Sequence, residues 1–215
     1  MAVKGKIIAV SGVDGCGKST IISEVISALE KQGKQCRYVW LRYNHYLTKG
    51  LLAFCRLAGL TRYEYFDGVR VGYHEFYRSK LISHLFIWFT FIDTLMASVV
   101  LVYIPAVFSN KVIVCDRWAV DIMVDLEVDT GIGFVPSGFY HRLFTALLPK
   151  GSRSFIIDRD PDLIRQVRKE NVHDRNFLKR VNLYKKHAEY GYARMVDNNG
   201  GIGRAVGRIL GGGGR

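Results

Sequence analysis

Cysteine is scarce in this sequence, and the few that occur follow no pattern. Cys16, Cys36, Cys55 and Cys115 form no C-x-x-C pair and show none of the spacings of a zinc site. A disulfide framework and a structural zinc module are therefore excluded as interpretations, and reduced thiols of an intracellular protein are expected. The N-terminal residues also lack the long apolar segment and small-residue cleavage site of a secretion signal. We accordingly expect a cytoplasmic protein.

Acidic residues are in short supply, because 19 Asp and Glu face 31 Lys and Arg and leave a net charge of +12. Such an excess indicates an anionic partner, and phosphates, nucleic acid and a membrane surface are all candidates. Hydrophobic residues make up 49% of the chain and charged residues 23%, which excludes a disordered protein. The length of 215 residues predicts a single domain over residues 1–215, with a flexible glycine-rich tail at 211–215.

One glycine-rich motif has a specific meaning. The segment GVDGCGKS matches G-x-x-x-x-G-K-[ST], with an apolar strand-like run before it and a helix-like apolar period after it. In such a loop the backbone N–H groups surround a triphosphate, Lys18 reaches the β and γ phosphates, and Ser19 binds Mg²⁺. We therefore predict that ATP is bound by the loop residues Gly12, Val13, Asp14, Gly15, Cys16, Gly17, Lys18, Ser19 and Thr20.

Short apolar runs alternate with helical periods along the rest of the chain. The predicted strands are Lys6–Val10, Cys36–Leu41, Lys111–Cys115, Ser154–Ile157 and Arg194–Val196. Asp160 and Pro161 provide the N-cap and first-turn residues of a helix between the last two strands. This alternation predicts an α/β fold of three layers, in which helices cover both faces of a parallel sheet and the site lies at the carboxyl ends of the strands.

The segment from Leu85 to Phe108 contains almost no charge, since Asp93 is its one charged residue. Its length satisfies the requirement for a membrane span, which is about 20 apolar residues. A single crossing would separate the phosphate loop from Asp116 and Arg117, which follow a strand expected in the same sheet. We therefore predict a long helix that ends near Pro105 and is buried in the domain or at the interface of a homodimer, with no membrane crossing.

Three motifs follow one another in the chain: VSGVDGCGKST, then VIVCDRW, then IDRDPDLIRQVRKENVHDR leading into FLKRVNLYKKHAEY. With these motifs the chain resembles the thymidylate kinase family of nucleoside monophosphate kinases, well over residues 4–42 and 110–199 and poorly over 43–109. The resemblance implies a P-loop kinase fold and an enzyme that transfers a phosphoryl group from ATP to a nucleoside monophosphate. It also implies Mg²⁺ as cofactor and dTMP as the first candidate for the acceptor.

The resemblance implies catalytic residues as well. Lys18 and Arg117 would contact the phosphates between which transfer occurs. In this family a further arginine comes from the phosphate loop or from a lid; the loop position here is Gly15, so the lid, at about 159–177, is expected to supply it. The lid candidates are Arg165, Arg168 and Arg175. The first two can equally form a solvated helix face. Phosphoryl transfer needs such charges, because the protein contributes mainly positioning and electrostatic stabilisation.

The remaining site residues are also carried over from the resemblance. The acceptor is expected to contact Asp14, Arg42, Asp93 and Arg117; Mg²⁺ is expected near Ser19 and Asp116; the adenine is expected near Asn198, with Asn199 beside it. For Asp93 a partnered core acid is an equal alternative. Asp116 can also be a structural strand-end carboxylate, and Arg117 can also form a strand-end salt bridge.

The chain departs from the family in its acceptor region. Thr94, in FIDTLM, stands near the place where the family has an arginine, and residues 43–80 lack the family's Glu-Pro-Gly-Gly turn. This stretch is rich in tyrosine, which we interpret as a packed aromatic cap over the site. Arg62, Arg70 or Arg78 could replace the missing arginine.

Several functions therefore remain open. The acceptor could be another nucleotide or a phosphorylated small molecule, and the basic, aromatic stretch would also suit a nucleic-acid-binding ATPase. A kinase-like protein that has lost activity is a third alternative. Nucleic acid is the weaker prediction, because a site for two polyanions already requires many arginines.

The phosphate loop generates the first test. We expect Lys18→Ala to abolish phosphoryl transfer and leave the fold intact, because the variant removes the cation that reaches the β and γ phosphates. Release of ADP and the circular dichroism spectrum measure the two effects. Turnover close to that of the wild type would show that this loop is not the catalytic site.

Overall fold

The computed structural model describes residues 6–42, 46–66 and 69–211. The predicted tail therefore lies outside the described residues except for 211. The strands are β1 (Ile7–Ser11), β2 (Cys36–Trp40), β3 (Thr61–Phe66), β4 (Val69–His74), β5 (Val112–Asp116), β6 (Arg153–Asp158) and β7 (Arg194–Asp197). The helices are α1 (Lys18–Lys31), α2 (Thr48–Leu57), α3 (Lys80–Ser98), α4 (Ile104–Phe108), α5 (Ala119–Thr130), α6 (Phe139–Thr145), α7 (Pro161–Val167), α8 (Glu170–His173), α9 (Phe177–Glu189) and α10 (Ile202–Gly211).

Five strands form one parallel sheet in the order β2-β5-β1-β6-β7. The two strands with uninterrupted apolar runs, β1 and β5, are buried along their whole length, as expected for strands covered on both faces. Because all five strands run in the same direction, their carboxyl ends share one edge of the sheet. The predicted three-layer α/β fold with a parallel sheet is confirmed.

Each face of the sheet has its own core. On one side, Val10 and Val114 pack with residues of α1, α9 and α10, such as Ile21 and Val181. On the other side, Ile113 and its neighbours pack against the long helical segment that begins with α3. The burial of apolar side chains on both faces fixes the sheet, and with it the edge on which the site is built.

The long apolar segment is a continuous helix from Lys80 to Phe108, in which α3 and α4 are joined by one π-helical turn, Val99–Tyr103. Pro105 lies in the first turn of α4, just after the π-helical turn. Proline has no N–H to donate to the residue four positions earlier and its ring crowds that carbonyl, so the wider turn accommodates it. The helix thus ends at Phe108, three residues after Pro105, which agrees with the predicted end near Pro105.

Residues between α2 and α3 form a two-stranded antiparallel hairpin of β3 and β4. This hairpin was not predicted from the sequence. Among the described tyrosines of this region, Tyr73 is buried, whereas Tyr46, Tyr63, Tyr65 and Tyr77 are exposed. The interpretation of a packed aromatic cap is therefore wrong. Tyr63 and Tyr65 lie on a two-stranded hairpin, which has no second layer that could bury its outer face, and Tyr46 and Tyr77 lie outside it.

The helix from Lys80 to Phe108 is, within the described part of the chain, the one segment apolar and long enough to cross a membrane, and 44% of its most apolar window is buried. In this fold it connects the hairpin of β3 and β4 to β5 of the parallel sheet. A stripe of its side chains remains exposed at helical spacing, and this stripe comprises Trp88, Ile92, Leu95, Met96, Val99, Val100, Ile104, Val107 and Phe108. We call these residues the apolar stripe.

The apolar stripe generates the second test. We expect the protein to sediment as a dimer without detergent, because an uncharged stripe of this extent is typical of an interface between copies. Val100→Lys should weaken the dimer by roughly a hundredfold or more, since a two-fold interface contains the buried charge twice. Leu178→Lys, an exposed apolar residue on α9, is the matched control. A wild-type monomer, or a protein that is extracted only with detergent, contradicts the prediction.

Candidate active site

A cavity of about 840 Å³ lies at the carboxyl edge of the parallel sheet. The loop between β1 and α1 forms its floor. Segments that follow the other strands form its walls, with Arg42 after β2, Asp116 and Arg117 at the end of β5, Arg159 after β6 and Asn198 after β7. Five separate parts of the sequence thus meet at one place because their strands are parallel neighbours.

The phosphate loop turns tightly at its glycines. Gly12 has a φ of 141°, and a Cβ there would lie 2.8 Å from the carbonyl oxygen of Ile157. Gly17 has a φ of 98° and precedes α1, and a Cβ there would lie 2.5 Å from Nδ2 of Asn198. Any other residue would be strained and would clash at both positions. The Nζ of Lys18 donates to the carbonyls of Gly12 and Val13, each at 2.7 Å, which places the cation inside the loop.

Arg117 has a φ of 65° and is the one non-glycine residue with positive φ in the part of the chain that the structure describes. Such a conformation costs about 1–3 kcal/mol and persists where the surroundings enforce it. Here the backbone N–H donates to the carbonyl of Val10, which ties β5 to β1. The guanidinium is buried and donates to the carboxylates of Asp14 and Asp121 and to the carbonyl of Gly12.

Asp121 is a fully buried carboxylate with four donors. Its Oδ1 accepts from the N–H of Gly12 at 3.3 Å, from Arg117 at 3.3 Å and from the hydroxyl of Tyr184 at 2.7 Å, and its Oδ2 accepts from the N–H of Trp118 at 3.1 Å. The sequence analysis missed this role. The signal that could have indicated it is an acid in the first turn of α5, four residues after a strand-end arginine.

Asp14 and Arg42 continue the chain of charges toward the acceptor side. Partial desolvation in the cavity would raise the pKa of Asp14, but the charges of Arg117, Lys18 and Arg42 outweigh this effect and lower the pKa to about 2. Arg42 also holds Asp125 with two bonds, from Nε at 2.9 Å and from Nη2 at 3.1 Å. The predicted site residues Asp14, Arg42 and Arg117 are thus brought together. Asp125 was not predicted.

The donor set near the loop fits a hard cation. Asp116 accepts a hydrogen bond from the hydroxyl of Tyr38 at 2.9 Å through Oδ2, whereas its Oδ1 is buried and has no partner among the described residues. Ser19 lines the same cavity. No cluster of three or more His, Cys, Asp or Glu ligands occurs in the described ranges. Magnesium suits such a site, because it binds one or two protein oxygens and completes its shell with water and substrate phosphates.

The lid arginines divide into two groups. Arg168 lines the cavity, with its side chain packed over Gly15 and its Nη1 donating to Glu170. Arg165 stacks on the ring of Phe177 at 5.2 Å and pairs with Asp162, and it does not line the cavity.

Of two further arginines in the lid segment, one contacts the hairpin and the other lines the cavity. Arg175 lies 4.1 Å from the centre of the Tyr73 ring and pairs with Glu75, and it does not line the cavity at the phosphate loop. Arg159, which was not predicted, lines the cavity and donates to the carbonyl of Gly15 at 3.4 Å. Its place directly after a strand was the signal, because Arg117 and Arg42 occupy equivalent strand ends.

Asn198 closes the loop from the β7 side. Its Nδ2 donates to the carbonyl of Cys16 at 2.8 Å, while its Oδ1 is buried without a partner in the described residues. Asn199 pairs with Asp197 and accepts from the N–H of Asp160. Asn198 therefore has one acceptor to offer to a ligand, and Asn199 is occupied by its neighbours.

A second cavity, of about 120 Å³, lies between α3, α5 and the hairpin and shares Arg42 with the first. Asp93 and Thr94 line it, on the acceptor side that the sequence analysis identified. Both oxygens of Asp93 are occupied, because they accept from the backbone N–H groups of Tyr46, Leu47 and Thr48. The structure thus gives Asp93 the role of anchoring the start of α2, which is the alternative of a partnered core acid.

Comparison with known proteins identifies the fold. No family model matches the sequence, and no curated protein matches it. Among solved structures, the crystal structure of thymidylate kinase from Ehrlichia chaffeensis matches with a TM-score of 0.58 and 13% sequence identity, over 97% of this chain and 97% of that chain. The thymidylate-kinase-like fold is therefore confirmed, and it extends over nearly the whole chain.

The buried carboxylate generates the third test. We expect Asp121→Ala to destabilise the protein by about 3–5 kcal/mol in urea unfolding, because removal of one partner leaves the other charge of a buried pair uncompensated. ATP binding should weaken as well, since the loop loses its anchor at Gly12. Asp162→Ala, an exposed acid on α7, is the control. Equal stability of the two variants would refute the role assigned to Asp121.

Proposed function

We propose that this protein transfers a phosphoryl group from ATP to a nucleoside monophosphate, with dTMP as the first acceptor to test. The observation that carries the proposal is the convergence of Lys18, Arg42, Arg117 and Arg159 on one cavity beside a phosphate loop. Three of the four are arginines that follow parallel strands. An ATP-binding site alone needs fewer cations than a site that joins two phosphorylated substrates.

The position of each residue in the cavity indicates which part of the substrates it would contact. Backbone N–H groups of the loop and Lys18 hold the β and γ phosphates of ATP, and Oδ1 of Asn198 accepts from the adenine. Ser19 and the free oxygen of Asp116 would hold Mg²⁺, which neutralises the phosphate oxygens when bound. Arg159 and Arg168 approach the loop from the lid and compensate the charge of the transferred group.

Arg42 and Arg117 are the residues expected to grip the acceptor phosphate. Asp14 accepts from both, and its side chain is 57% exposed, whereas the side chains of Arg42 and Arg117 are 11% and 7% exposed. The carboxylate can therefore turn away into solvent while the guanidinium groups remain fixed. A phosphate carries more negative charge than a carboxylate and accepts bidentate bonds from arginine, so it can take the place of Asp14.

A nucleic-acid-dependent ATPase is the second candidate, and one surface favours it. The hairpin exposes Tyr63 and Tyr65, and Arg62 and Arg78 lie around the nearby buried Glu75. Aromatic rings beside basic side chains are typical of surfaces that bind single strands. Stimulation of ATP hydrolysis by single-stranded DNA or RNA, in the absence of any acceptor nucleotide, would support this candidate.

The deciding experiment is a coupled assay of ADP release with every nucleoside monophosphate and every unphosphorylated nucleoside as acceptor. We expect turnover with a monophosphate and dependence on Mg²⁺. Faster phosphorylation of nucleosides than of every monophosphate would show that the proposed acceptor class is wrong. No turnover with any acceptor, together with stimulation by single strands, would establish the second candidate.

The two arginines generate the fourth test. We expect Arg117→Lys to lower kcat by roughly a hundredfold or more, because lysine cannot reproduce the bidentate contact that strengthens as charge develops. Arg42→Lys should mainly raise the KM for the acceptor, since Arg42 holds the phosphate equally in the ground and transition states. Arg208→Lys, on α10, is the control. If Arg117→Lys changes only KM, Arg117 binds substrate without stabilising the transition state.

A further inference from the structure

The second cavity contains a carboxyl group that the proposed mechanism does not use. Asp129 lies one helical turn after Asp125 on α5 and lines the cavity. Asp125 is paired with Arg42 and Arg180, whereas Asp129 has no hydrogen bond or ion pair within the described ranges. Asp129 is half-buried. A carboxyl group that lines such a cavity without a partner is stabilised either as the neutral acid or by a ligand that provides the missing hydrogen bonds.

The surroundings of Asp129 favour the neutral acid. The charged and titratable groups around it are Asp125 on its own helix, Lys179 and Arg180 on α9, Arg42 after β2, His74 on β4 and Asp93 on α3. Burial and the negative charge of Asp125 raise the pKa of Asp129 to about 8, and they outweigh the positive charges of Arg180, Arg42 and Lys179, which lower it. At neutral pH the group is therefore mostly a carboxylic acid.

The cavity has the size and lining for one ring. Its volume is about 120 Å³, which is comparable to an apolar cavity of about 150 Å³ that holds benzene. Leu52, Phe86 and Leu126 contribute apolar walls. Besides Asp129, the hydroxyl of Thr90 is buried there without a partner among the described residues. The Nε of Arg180 is also buried there without a hydrogen-bond partner in the described residues, but the charge of this guanidinium is balanced by Asp125 and Asp174. With the charge of Arg42 balanced by Asp125 as well, the cavity suits an uncharged ring better than a phosphate.

We propose that Asp129 selects the acceptor by binding, as a carboxylic acid, the edge of a single six-membered ring that carries a hydrogen-bond acceptor next to a donor. A carboxylic acid presents an O–H donor beside a carbonyl acceptor, which is complementary to the C=O and N–H of a pyrimidine such as thymine. An ionised carboxylate presents two acceptors and repels the ring carbonyl. Asp129 thereby supplies the base recognition that the threonine at position 94 does not.

This inference rests on the proposed function, and the experiment separates the two. Binding of dTMP and of N3-methyl-dTMP is measured by calorimetry with a non-hydrolysable ATP analogue present, from about pH 6.5 to about pH 9. The proteins are the wild type, Asp129→Asn, Asp129→Ala and the surface control Glu189→Gln. Asparagine keeps a donor beside an acceptor and does not titrate, whereas alanine removes both groups.

We expect the wild type and Glu189→Gln to bind dTMP at least about tenfold more tightly than the N3-methyl analogue, which lacks the donor. This affinity should fall by about tenfold per pH unit above the pKa of Asp129, since only the neutral acid binds. Asp129→Asn should bind dTMP with little pH dependence, and Asp129→Ala should lose the discrimination between the two probes.

Two results overturn the inference. If the wild type binds dTMP and all four proteins show the same affinity, discrimination and pH dependence, Asp129 does not read the base and the proposed function stands. If the wild type does not bind dTMP at all, the proposed acceptor is wrong and the assignment of Asp129 falls with it. The melting temperature at pH 7 checks that Asp129→Asn folds. It should be higher than that of the wild type, because unfolding of the wild type is favoured by ionisation of Asp129 and asparagine cannot ionise.

Discussion

The site depends on one buried carboxylate. Asp121 accepts hydrogen bonds from Gly12 in the phosphate loop, from Arg117 at the end of β5, from Trp118 at the start of α5 and from Tyr184 on α9. Three parts of the chain that are distant in sequence are therefore held by two oxygen atoms. Because an unpaired buried charge costs several kcal/mol, none of these donors can move without loss of stability, and the arginine is held with its guanidinium toward the loop. The positive φ of Arg117 is tolerated for the same reason.

From Arg117 the charges continue as an alternating series. Asp14, Arg42, Asp125, Arg180 and Asp174 follow one another in contact, and they lead from the phosphate loop past the second cavity to the lid. Each arginine in this series is neutralised before any substrate arrives. The series therefore fixes the guanidinium groups at little electrostatic cost. Under the proposed function, a substrate phosphate would need to displace only the exposed carboxylate of Asp14 rather than order free side chains.

The sequence permitted prediction of those parts that local patterns determine. Five parallel strands, the loop and the strand-end residues Arg42 and Arg117 follow from short apolar runs and one motif, since parallel strands must present their ends at one edge. The hairpin was missed because its tyrosines suggested a core that a two-stranded ribbon cannot provide. Arg159 and Asp129 were missed for a different reason. Their roles depend on which side chains lie opposite them in the folded protein. The sequence alone does not show which carboxylates are paired with which arginines.

The two halves of the site differ in the kind of group that they leave free. Beside the phosphate loop the atoms without a hydrogen-bond partner in the described residues are the Oδ1 of Asp116, the Oδ1 of Asn198 and the Nε of Arg159, a set that suits phosphates and their metal. At the second cavity the charges of the arginines are balanced by carboxylates, and the groups without a hydrogen-bond partner in the described residues are Asp129, the hydroxyl of Thr90 and the Nε of Arg180. A ligand that spans both must be charged at one end and neutral and planar at the other, and a nucleotide has this form. Under the proposed function, Asp93, Asp125 and Asp129 offset the charge of Arg42 and Arg180 at the second cavity, so that this end of the site would suit a neutral base although the chain as a whole is basic.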